Sequence, residues 1–160
     1  MAVVVLTSAT VQLGTAWTGT APGTPGTQTV SGTISSASDV TTYTRQVEFP
    51  LSAATQDATN FGSGGYTLNV VGLRSSAVSL TFNQDFAGSA LDQIIMTTLG
   101  FGSTIYVDVR PTSAARGATN PSYVFACLLT EWTPVAGSVG DLVMPSVTWP
   151  VTGAWARLTS

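Results

Sequence analysis

Apolar and polar positions alternate with a period of two along most of this chain. Tyr43, Arg45, Val47, Phe49 and Leu51 share one parity, against Thr44, Gln46, Glu48 and Pro50. Such alternation predicts a strand that packs one face, with the ladder ending or running along an edge at Pro50. Tyr66 to Leu73 reads as a second strand, and Val78, Leu80 and Phe82, separated by Ser79 and Thr81, as a third. Ile105, Val107 and Val109 alternate with Tyr106, Asp108 and Arg110 to predict a fourth. Residues 122 to 133 form a long β segment with apolar residues on both parities, and Val143, Val147, Trp149 and Val151 share one parity in the last strand. The stretch Ala136-Gly137-Ser138-Val139-Gly140-Asp141 between these two reads as a hairpin connection. Strands apolar on both faces want partners on both faces, which suits a sheet shared between subunits.

Helical spacing occurs once. Phe86, Ala90, Leu91, Ile94, Ile95 and Leu99 form one stripe, with Asp85 as the expected N-cap and Gly100 where a left-handed C-terminal residue belongs. Residues 52 to 65 carry little hydrophobic pattern and read as a loop. Residues 1 to 38 contain no charged side chain. Their division is an N-terminal strand followed by an uncharged Thr/Gly/Pro-rich arm or loop with a turn at Pro22-Gly23-Thr24-Pro25-Gly26 and an isolated Trp17. The β domain is expected over residues 39 to 160.

Composition sharpens this picture. Charged residues make up 8 % of the 160-residue chain, against about 25 % in ordinary soluble domains. There is no Lys and no His, and polarity comes from 26 Thr and 17 Ser. A surface so poor in charge repels its neighbours weakly, as expected if much of it lies against other subunits. The net charge is −3 and five arginines form no basic run, which argues against tight nucleic-acid binding. The single cysteine, Cys127, sits in an apolar strand and reads as a small core residue. The opening Met1-Ala2-Val3-Val4-Val5-Leu6 lacks a signal-peptide pattern, and no apolar stretch is long enough for a membrane helix.

Chemistry is scarce. Without His there is no Ser-His-Asp triad and no imidazole metal site. Gly62-Ser63-Gly64-Gly65 lacks the Lys and helix of a phosphate loop and reads as a turn. Asp85 and Asp92 would lie about 10 Å apart along a helix, too poorly placed to suggest a carboxylate pair over a solvated residue and a cap. No enzyme activity and no cofactor are expected.

Several runs in order carry a resemblance. Asp39-Val40-Thr41-Thr42-Tyr43, Val47-Glu48-Phe49-Pro50, Thr55-Gln56-Asp57-Ala58-Thr59-Asn60-Phe61-Gly62, Gly72-Leu73-Arg74 and Ser79-Leu80-Thr81-Phe82-Asn83-Gln84-Asp85 are followed by Asn120-Pro121-Ser122-Tyr123 and Thr133 through Leu142. Over about residues 39 to 153 the chain resembles the major tail tube proteins of long-tailed, siphovirus-type bacteriophages, those of actinobacterial hosts above all. Ala53-Ala54 departs from a more polar pair there. The resemblance implies a mainly β fold, a tail-tube sandwich or barrel with one α-helix, whose long hairpins form a shared inner β-barrel in a hexameric ring. Residues 43–51, 122–133 and 142–152 would supply the barrel strands. Stacked rings would form a conduit for the genome, in a virion tail assembled in the host cytoplasm. Partners would be the chain itself and tape measure, tail terminator and baseplate proteins. DNA would pass without tight binding, and no membrane is involved. Thr55, Gln56, Asp57, Asn60 and Phe61 would contact the next ring. Glu48, Glu131 and Asp141 are candidate lumen-facing acids, because a conduit wall should repel the phosphate backbone. From another class, a β-sandwich binding module, carbohydrate-binding or capsid-decorating, would display aromatics such as Trp132, Trp149 and Trp155.

Overall fold

In the computed structural model the described residues are 6–19, 32–153 and 155–159. The apolar run at 1–6 (Leu6 apart) and the Pro22 to Gly26 turn lie outside them. The chain is mainly β, with two facing sheets, a two-stranded ribbon and one short helix. β1 (Thr10–Gly14), β4 (Ser38–Asp39), β8 (Thr104–Arg110), β9 (Ser122–Leu128) and β11 (Ala156–Leu158) form the first sheet, in the order β11-β9-β8-β1-β4. The second has the order β10-β7-β5, from β5 (Thr44–Glu48), β7 (Asn69–Phe82) and β10 (Ser146–Pro150). β6 (Leu51–Asp57) pairs with the first half of β7 alone, and β2 (Ala16–Gly19) pairs with β3 (Gly32–Ser35). All these pairings are antiparallel.

The alternation read from the sequence is what builds the core. Val11 and Leu13 of β1, Ile105 and Val107 of β8, and Phe125 and Cys127 of β9 face Val78, Leu80 and Phe82 of β7 and Val147 and Trp149 of β10. Removing these side chains from water is the main source of stability. The helical stripe lies against the same core through Leu91, Ile95 and Leu99. It is shorter than expected: one α turn, Leu91–Gln93, runs into a π-helical segment, Ile94–Gly100. Phe86 is exposed, and the Asp85 carboxylate accepts from Ala87 N–H (2.8 Å) in the preceding turn instead of capping the helix. Gly100 does take the left-handed conformation, with φ 77°. Burial pushes the Cys127 thiol up to about 12, so it is protonated at neutral pH and unsuited to nucleophilic work.

Other expectations are corrected as well. The loop expected at 52 to 65 is mostly the strand β6, closed by a 3-10 turn at Phe61–Ser63. The two strands expected at 66–73 and from Val78 are one strand of 14 residues, β7. The terminal hairpin is reduced to a single antiparallel bridge, Cys127 with Val151: β9 pairs along its length with β8 and β11, whereas β10 pairs with β7. The reason lies in the two apolar parities of β9. Its second face is covered by this chain itself. Val124, Ala156 and Leu158 pack against Trp17 and Ile34 of the β2–β3 ribbon and against Tyr106, and Trp17 stacks on Tyr106 with centroids 6.4 Å apart. The described part of residues 14 to 38 is thus a layer on the first sheet, not an extended arm.

A buried ionic cluster ties that layer down. Asp108, 5 % exposed, accepts from the Ser122 hydroxyl and pairs with Arg116 Nη2 at 3.5 Å. Arg116 Nη1 donates to the Gly32 carbonyl at 2.9 Å. Gly32 has no room for a side chain: a Cβ there would lie 2.2 Å from Trp17 Cζ2 and 2.7 Å from the Thr18 carbonyl. Gly32→Ala is therefore expected to destabilise the fold by about 1–3 kcal/mol, read by urea unfolding. An unchanged midpoint would show that the ribbon does not pack this tightly.

Candidate functional site

Two surfaces stand out. The first is the projecting arm made by β6 and the first half of β7. Every residue of β6 is exposed. Leu51, Leu68, Val70, Val71 and Leu73 are exposed along it, and Phe61 and Tyr66 at its tip. Seven residues of extended strand give the arm about 24 Å of reach. Hydrogen bonds keep its end in order. Asn60 caps the 3-10 turn by accepting from Gly62 N–H (2.9 Å), and its own N–H donates to Ser63 Oγ (3.1 Å). Ala58 N–H donates to the Leu68 carbonyl at 2.7 Å, and Leu68 N–H to the Thr59 hydroxyl at 2.9 Å. Bonds from the Thr59 hydroxyl and then the Thr59 N–H hold the Asp57 carboxyl below its ordinary value. Thr55, Gln56 and Asp57 sit opposite Val71, Val70 and Asn69. The five residues expected to contact a neighbour thus share one arm, and the apolar residues of β7 beside them went unread as surface. At the foot of the arm a groove of about 580 Å3 is lined by Leu51, Arg74, Val151 and Trp155 among others.

The second surface is the outer face of the β10-β7-β5 sheet. Cross-strand partners share a face, so Gln46, Thr81 and Ser146 make one row and Glu48, Ser79 and Thr148 the next. Hydroxyl pairs bridge the strands: Ser79 with Thr148 and Thr81 with Ser146, each at 3.0 Å. The face is mainly polar and uncharged, with one cation at its end, Arg45, whose guanidinium lies 3.4 Å from the Met144 sulfur. Glu131 reaches its edge, its carboxylate accepting from Thr148 N–H. Asp141 is elsewhere, folded into a turn where its carboxylate accepts from Ser138 N–H at 3.1 Å. Of the three candidate acids, the structure brings Glu48 and Glu131 to one sheet and leaves Asp141 in the loop between β9 and β10.

The three tryptophans that a binding module would display do not form an exposed platform. Trp149 is fully buried. Trp132 and Trp155 are half-buried against the core, with Trp132 Nε1 donating to Asp92 at 3.1 Å. Among the described residues no group of three or more His, Cys, Asp or Glu could hold a metal ion, and no helix is long and apolar enough to cross a membrane.

The likeness of this chain to known proteins lies in its structure. No protein-family description matches it, and no curated protein matches it. Solved structures do. A chain in the virion of a native gene transfer agent particle superposes with a TM-score of 0.58 at 16 % identity, over 76 % of this chain and 88 % of that one. A chain in the tail of an empty gene transfer agent particle, determined with C6 symmetry, gives 0.51 at 18 % identity, over 75 % and 84 %. At such identities the likeness establishes the fold: this mainly β architecture is one found in the virion and tail of gene transfer agent particles.

Proposed function

We propose that the chain is a structural subunit of a phage-type tail, of the long-tailed siphovirus kind, which assembles with copies of itself into stacked hexameric rings. The observation that carries this is the arm: a hairpin exposed on both faces and rich in apolar side chains, on a fold shared with a tail chain. Apolar surface of this kind marks an interaction site. The arm reaches an adjacent ring, with Thr55, Gln56, Asp57, Asn60 and Phe61 in the contact. The β10-β7-β5 sheet is the wall of the tube, so β7 takes the place expected of residues 122–133, and β5 and β10 supply the edges that meet neighbouring copies.

On this reading the hydroxyl rows face the lumen. Glu48 and Glu131 are the acids of this wall, set against Arg45 at its end, and the two hydroxyl rows themselves include no cation to hold the phosphate backbone. DNA passes without being bound, as genome ejection requires. Asp141 contributes from the loop between β9 and β10. Tape measure, terminator and baseplate proteins are the expected neighbours in the virion tail, assembled in the host cytoplasm. The role is structural and not catalytic.

Negative-stain microscopy of purified protein tests this directly. Rings and tubes are the expected result. A monodisperse monomer at high concentration, especially one retained on a glycan column, would replace the proposal with the binding module.

A further inference from the structure

The outer edge of β10 is closed, and the closure is built from three different devices. Val151 N–H donates to the Ser76 carbonyl of β7 at 3.1 Å. By the alternation of an antiparallel ladder, the N–H groups of Thr148 and Thr152 then point away from β7, on the side where Pro150 falls. Thr148 N–H donates to the Glu131 carboxylate. Pro150 has no N–H to offer. Thr152 N–H donates to the Ala126 carbonyl at 2.7 Å. Glu131 is itself seated, because its backbone carbonyl accepts from Trp149 Nε1 at 2.9 Å. Unpaired outward donors are what an incoming strand uses, and a charge and a proline are standard ways to deny them.

At the opposite end of the same sheet lies β5, which pairs with β7 on one side and with no strand on the other among the described residues. It carries Arg45, exposed, donating to the Met144 sulfur at 3.4 Å and paired with no carboxylate among the described residues. A thioether is a weak acceptor for a guanidinium, which binds carboxylates far better. Among the described residues, one chain therefore holds a guarded edge with a carboxylate and, at the other end of the sheet, an edge strand that carries an arginine.

We propose that Glu131 is an edge guard, removed by Arg45 of a second copy. In the free subunit the carboxylate blocks the β10 edge and prevents premature strand pairing. When β5 of another copy comes alongside, its Arg45 draws the carboxylate away, and Thr148 N–H is released to a carbonyl of that β5. The proposal rests on the reading that copies join through this sheet.

Light-scattering time courses on wild type, Glu131→Ala, Arg45→Ala and the double variant test it. Glu131→Ala should assemble about tenfold faster or more, the scale of one hydrogen bond to a charged group. Arg45→Ala should be slower than wild type. The double variant should match Glu131→Ala, since no guard is left to displace. A Glu131→Ala protein no faster than wild type, or a double variant as slow as Arg45→Ala, overturns the proposal. Amide exchange at Thr148 in dilute, unassembled wild type needs no variant. Slow exchange is expected, and exchange at the rate of an exposed amide removes the guard outright. If no variant forms tubes at all, the assembly reading fails on its own, and the Thr148 exchange rate still decides whether the edge is guarded.

Discussion

Shortening the arm abolishes tubes while leaving the subunit folded. The variant replaces residues 56–70 by the two-residue turn Asn-Gly, so that Thr55 and Val71, opposite each other in the native register, become the closing pair. Most of the removed segment is exposed in the subunit, Gln56, Asp57, Phe61, Tyr66, Leu68 and Val70 included. Its loss should therefore change the unfolding free energy by no more than about 1 kcal/mol, as for surface changes that touch no core. Assembly is another matter. Burying side chains such as Phe61 and Leu68 contributes about 1.5–3 kcal/mol each, and every subunit would contribute its own arm. Electron microscopy should show isolated rings or smaller species and no elongated tubes. Long tubes from the shortened chain would mean that the arm is not a contact between rings.

The opposite pattern is expected for Trp149→Ala. Trp149 is fully buried and is among the largest buried side chains in the core, packed where the two sheets face each other. Truncation removes its dispersion contacts and leaves a cavity that the surrounding β strands close only in part, at a cost of about 3–5 kcal/mol. It also takes away the donor to the Glu131 carbonyl, a bond of 2.9 Å. A domain with a net stability of about 5–15 kcal/mol would lose a large share of it. Chemical denaturation should show a lower midpoint with little change in slope, and assembly should fail because the subunit is partly unfolded. A loss below about 1 kcal/mol would show that the residue is not sealed in the core as described. Trp149→Phe, which keeps most of the volume, should recover most of the stability but not the bond to Glu131.

The two variants separate what a strand pattern reveals from what it hides. Hydrophobic alternation reports burial, not strand geometry. Where one face is covered, as in Val78, Leu80 and Phe82 or in Val147 and Trp149, the period of two placed the buried residues correctly. β6 is covered on neither face, so Leu51–Asp57 has no reason to alternate and reads as a loop. β9 is covered on both, so its parities are equally apolar, and nothing local says whether the second cover is another subunit or the chain's own Trp17 and Ile34. Asp108 shows the same limit: it alternates with the buried Val107 and Val109, and nothing in that pattern says that the ribbon above buries it beside Ser122 and Arg116.

The sequence by itself determined the mainly β character, the alternating core, the position of the helical stripe and the scarcity of charge and catalytic groups. Each of these depends on residue type and short spacing, which local sterics and burial translate directly into pattern. Only the tertiary structure decided that β9 and β10 lie in different sheets, that Glu48 and Glu131 stand at opposite edges of one sheet while Asp141 sits in a loop, and that Glu131 closes the edge of β10. These follow from which strands pair across dozens of residues. Such a choice is set by the whole set of buried faces at once, and no single stretch of the chain contains it.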